Sequence, residues 1–132
     1  MRLVLLALAT VFCAGAAFAQ DMPCRPPDGI TQKATKTFVE NYNAAQRALN
    51  AKDWAGAIGG AALARPHAIY GVQQAILLQI EIVAYDGWGA LESLRTKLEV
   101  AIQSPCLSEA DRNNYRRMLA EIISKPAAPQ QR

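Results

Sequence analysis

Few side chains in this sequence have the types and spacing that chemistry requires. The single histidine, His67, follows Pro66 directly and has no carboxylate or cysteine partner within local reach. Neither a metal-ligand set nor a histidine-activated nucleophile can be built around it. The carboxylates are scattered and mostly single, which gives no acid–base pair. Gly56, Gly59 and Gly60 fall inside a helical pattern rather than after a strand, so they do not form a phosphate-binding loop. The three cysteines, Cys13, Cys24 and Cys106, contain no Cys-x-x-Cys pair and carry no redox-catalytic signature. The expectation is a protein without catalysis, metal or cofactor, whose cysteines are structural.

Composition narrows the class further. A chain of 132 residues accommodates one small domain. Its formal charge of +3, or +2 without Arg2, is too slight to argue for nucleic acid or an anionic membrane surface. Met1-Arg2 gives a short positive start, residues 3–17 are almost wholly apolar, and Ala17-Phe18-Ala19 is an A-x-A site. Residues 1–19 therefore read as a secretory signal peptide cleaved after Ala19, with a periplasmic or secreted product. The apolar run falls short of the roughly 20 residues that span a bilayer, so no membrane insertion is expected after cleavage. Loss of Cys13 leaves Cys24 and Cys106, and an even count in an oxidising compartment favours one disulfide between them.

The elements that would position any site are helices. Residues 20–30, rich in proline, read as an irregular lead-in held by Cys24. The helical domain spans residues 31–125, and residues 126–132 read as a disordered tail. Thr31 is the candidate N-cap of a first helix running from about Gln32 to Leu49, with Phe38, Tyr42, Ala45 and Leu49 on its apolar face. A polar turn at Asn50 to Asp53 leads into a second helix, Trp54 to Ala64, in which Asp53 is placed to cap the first turn. The glycines of that helix imply either a neighbouring helix at very close approach or a helix that frays. A third helix runs from near Pro66–Ala68 to Tyr85, with Ile69, Val72, Ile76, Ile80 and Val83 as one stripe. It is apolar on well over half its circumference and is the expected centre of the fold. A fourth spans Trp88 to Ile102. Ser108, three residues before Asp111, resembles a capping box opening a fifth. The fold class is all-α, about five helices in antiparallel hairpins.

Trp54 and Trp88 stand 34 residues apart, and each reads as opening a helix after a polar turn. That period is the tetratricopeptide-repeat spacing, and Phe38 to Ile102 resembles two such repeats, with the fifth helix as a cap. Ala45, Ala57 and Ala64 match the family's small packing positions, and Trp54 matches its aromatic position. Asn41 and Ala48 stand where the family carries Trp and Tyr, Gln79 takes a small-residue slot, and Ala90-Leu91 lies one residue early relative to Ala57-Ile58. The resemblance implies an α-α superhelix whose first helices line a groove for a polypeptide partner. Tyr42, Gln46 and Asn50 would line it from the first helix, Gln73 and Gln74 from the third, and Asn114 and Arg117 from the fifth. The function implied is a non-catalytic protein–protein interaction module of the bacterial cell envelope. Two other readings stand beside it: a periplasmic helical bundle holding a small ligand, and a structural accessory subunit of an envelope assembly.

Overall fold

A computed structural model describes residues 22–27 and 33–125. The signal peptide, Thr31 and the tail of the sequence reading lie outside them. Among the described residues the regular structure is entirely helical: α1 (Lys36–Asn50), α2 (Trp54–Ala64), a short 3-10 turn (Arg65–His67), α3 (Gly71–Trp88), α4 (Leu91–Ile102) and α5 (Glu109–Ser124). Each helix packs chiefly on its neighbours in sequence, and α1 also reaches α3. Short connections between packed neighbours make successive helices antiparallel hairpins.

The starts of α1, α2 and α5 follow side-chain caps. Thr35 accepts from Phe38 N–H at 3.1 Å, so α1 opens four residues after the expected Thr31. Asp53 caps α2 through Gly56 N–H as the sequence suggests. Ser108 Oγ accepts from Asp111 N–H at 3.1 Å and donates to Asp111 Oδ2 at 2.8 Å. The expected capping box is thus closed side chain to side chain, because aspartate is one methylene shorter than glutamate. Arg112 and Arg116 pair with Glu109 in the same first turn and hold its carboxyl below the usual range.

The tryptophan register needs correction. Trp54 opens α2, but Trp88 closes α3 and is 55% exposed. The third helix also begins later than expected, at Gly71, since Arg65–His67 forms its own turn. Val83, placed on the core stripe by periodicity, faces solvent. The two corners are nonetheless the same backbone device, 37 rather than 34 residues apart. Lys52 (φ 57°) and Gly89 (φ 76°) are both left-handed, and Asp53 (φ −83°, ψ 82°) matches Ala90 (φ −82°, ψ 74°). Asp53 N–H donates to Ala48 and Lys52 N–H to Leu49, as Ala90 N–H does to Tyr85 and Gly89 N–H to Asp86. These are the paired bonds of a Schellman helix end. Shifted by 37, buried Phe38, Ala45, Ala57, Ala61 and Ala64 fall on buried Ala75, Ile82, Leu94, Leu98 and Ala101. Leu91, not Trp88, occupies the position of Trp54.

The core has two parts. Ala45, Ala57, Ala61, Ala64 and Ala84 line the first, with Phe38, Leu77 and Ile80 as its large side chains. The second is bulkier, with Leu78, Ile82, Leu94, Leu98 and Tyr115 between α3, α4 and α5. Burial pushes the Tyr115 phenol above its ordinary pKa, while a hydrogen bond with Gln79 of α3 pulls it down. The alanine-lined seam sets how near α1 and α2 come: a Cβ built on Gly60 lies 2.9 Å from Ala45 Cβ and 3.0 Å from its backbone nitrogen, whereas one on Gly59 meets nothing within 4 Å. The two glycines therefore predict opposite results in urea titrations. Gly60→Ala is expected to lose about 1–3 kcal/mol by overpacking, while Gly59→Ala gains about 0.5–1 kcal/mol from helix propensity.

A strap ties the amino-terminal segment to the loop between α4 and α5. Cys24 and Cys106 are disulfide-bonded with Cα atoms 5.2 Å apart. Beside the bond, Gly71 N–H donates to Pro23 O at 2.8 Å and Val72 N–H to Cys24 O at 3.0 Å. The strap thereby satisfies the first two free donors of α3. Gly71 has to be glycine at this crossing, since a Cβ would fall on Cys106 Sγ and lie 3.2 Å from Cys24 Cα.

Candidate functional site

A groove of about 870 Å³ lies between α3 and α4, walled at one end by the strap. Gly71, Gln74, Ala75 and Leu78 form its α3 side and Thr96, Lys97, Val100 and Gln103 its α4 side, with Met22, Ser104, Pro105 and Cys106 closing the strap end. The α3 residues recur at helical spacing, so one stripe of the central helix supplies the floor. The antiparallel register sets Cys106 beside Gly71 and Lys97 beside Glu81, with about 15 Å of helix between the two crossings.

Glu81 holds the far end. It is 2% exposed in the central helix. Arg65 meets its Oε1 at 2.5 Å, and Lys97 Nζ lies 2.8 Å from Oε2. The ammonium is close but poorly aligned, because Oε2 has no donor with hydrogen-bond geometry. The contact is therefore mainly Coulombic. Two cations on one buried carboxylate leave an excess positive charge. Both reach the groove wall, with 37% of the Arg65 and 28% of the Lys97 side chain exposed. Glu99 also lines the groove but is paired with Arg95 at 3.1 Å.

Of the seven side chains the resemblance proposes, Gln74 lines this groove, its Nε2 lying 3.9 Å from Met22 Sδ. Gln73 turns inward, and its Oε1 accepts from Ile69 N–H at 2.6 Å and Tyr70 N–H at 3.2 Å, which fixes the entry to α3. Tyr42 stacks on Phe38 and accepts from Gln46 Nε2 at 3.0 Å on α1. Asn50 ends α1, exposed. Asn114 accepts from Arg117 at 3.3 Å on the solvent side of α5. The structure thus brings together Tyr42 with Gln46 and Asn114 with Arg117, as local pairs on separate helices. Arg65, Glu81 and Lys97 were missed. One signal was present in the sequence: Glu81 stands between Ile80 and Ile82, and an acid there demands a cation.

His67 is exposed in the 3-10 turn. Among the described residues no three His, Cys, Asp or Glu side chains gather as a metal site, and no helix is long and apolar enough to cross a membrane. The disulfide is compatible with an oxidising, extracytoplasmic compartment. Comparison with protein-family models, curated proteins and solved structures finds no match to this chain.

Proposed function

We propose that this is an exported, non-catalytic interaction module, cleaved after Ala19 and acting in the bacterial periplasm, that holds a polypeptide segment in the α3–α4 groove. The observation that carries the reading is the composition of that groove. It has an apolar floor at Ala75 and Leu78, amides at Gln74 and Gln103 on opposite walls, and cations at one end. Apolar floors take side chains, and facing amides can pair with the main chain of an extended segment. The repeated Schellman corner and the matched burial 37 residues apart support a tetratricopeptide-like hairpin pair.

The test is selection of displayed random peptides on the immobilised, oxidised protein. Enriched sequences are expected to bind wild type and to lose at least about tenfold in affinity, roughly 1.4 kcal/mol, to Gln103→Trp. Gln103 is exposed beside the groove, so the variant should melt as wild type does. Absence of enrichment, or binding indifferent to Gln103→Trp, overturns the proposal.

A further inference from the structure

We infer that the segment held in this groove carries an acidic side chain about three residues from an apolar one, and that the Arg65–Lys97 end reads the acid. The inference rests on the polypeptide-binding reading above and names the partner's chemistry. Charge complementarity carries it. The groups at that end are Arg65, Lys97 and Arg95 against Glu81 and Glu99, an excess of one positive charge. Glu99 is already engaged by Arg95, and both Glu81 oxygens face a cation, so the surplus lies on Arg65 and Lys97. Both are held in place by the buried carboxylate, so they present charge to a ligand without first having to be ordered. A second carboxylate arriving from the groove side would complete two acids around two cations.

Spacing follows from helix geometry. The apolar floor at Ala75 lies six residues before Glu81 on α3, about 9 Å along the axis. An extended chain covers that in about three residues at ~3.3 Å each. Arg65 and Lys97 remain partly exposed, so this end opens to solvent and the bound chain can run on past it. That favours a side-chain carboxylate within a continuing segment over a terminal one.

The experiment uses the oxidised protein and two arrays of end-blocked decapeptides in Ser/Gly/Ala/Thr background. One carries leucine and, three positions on, glutamate; the other carries glutamine in place of glutamate. Fluorescence anisotropy is expected to show the glutamate peptides binding about fivefold tighter or more at low salt, with the preference shrinking as salt rises. Val100→Asp places a negative charge one turn from Lys97, outside the ion cluster at a 55% exposed site, and is expected to abolish the preference without changing the melting temperature. Lys97→Arg should keep it. Equal binding of both arrays, still sensitive to Gln103→Trp, overturns the acidic requirement and leaves the groove reading standing. A preference unchanged by Val100→Asp overturns the assignment to this end. A glutamine peptide with its C-terminus left free that binds as tightly as the end-blocked glutamate peptide overturns the side-chain assignment. No binding of either array by a protein that selects peptides from a random library overturns the inference alone, whereas failure of both assays removes the groove reading with it.

Discussion

Replacing both cysteines of the strap, Cys24→Ser with Cys106→Ser, is expected to cost about 4.5 kcal/mol, the loop-entropy value for a closure of this span. The two residues are 82 apart in sequence, so the bond removes a large share of the unfolded chain's freedom. For a domain of this size the corresponding fall in melting temperature is roughly 15 °C or more. The loss should exceed that of a bond joining two free surface loops, because the strap also supplies the Pro23 and Cys24 carbonyls to Gly71 and Val72 N–H. Released, it leaves the start of α3 uncapped and the groove without its Met22 wall. Thermal melts by circular dichroism, with and without reductant, provide the check. Reduced wild type and the double-serine variant should melt together, well below oxidised wild type. Coincidence of all three curves would refute the account.

The buried carboxylate gives the second large effect. Arg65→Met with Lys97→Met leaves Glu81, 2% exposed, without either counter-charge. Stranding a buried charge costs about 3–5 kcal/mol. Adding Glu81→Leu to that pair should recover most of the loss, since an apolar cluster replaces an uncompensated ion. Glu81→Gln in the wild-type background is expected to cost less than the cation-free pair, because Arg65 and Lys97 can turn to solvent. Urea titration of the four proteins separates the contributions. A triple variant no more stable than the double would show that packing of the long side chains, not charge, is what the substitutions remove.

How legible the molecule was depends on which interactions set each feature. The all-α class, the second helix from Trp54 to Ala64 and the cap at Asp53 followed from local rules, and the structure has them. The disulfide followed from cysteine count and is present. The fourth helix was misplaced because a tryptophan after Asp86-Gly87 reads as a helix opening. In fact Gly87 sits inside α3, where its missing side chain makes room for the Trp54 ring, and Gly89 supplies the left-handed residue of the turn. That contact joins residues far apart in sequence, and no local pattern reports it. The same holds for the groove. Arg65 and Lys97 lie 16 residues either side of Glu81, one before α3 and one in α4, and the hairpin brings them to one carboxylate. Gln73 shows the converse: its amide looks available for a partner, yet it is consumed by two backbone donors at the entry to its own helix.

The strap has a consequence for the order in which the protein can be completed. A chain made from its amino end presents Cys24 early, but the sulfur it must meet follows α4, when most of the domain has already been made. The opening turn of α3 borrows its acceptors from the same early segment, so the central helix can wind its middle long before its first residues are secured. The last covalent step is therefore also the one that secures the start of the central helix. A nascent chain halted before Cys106 should hold its first hairpin folded while α3 stays frayed at the start.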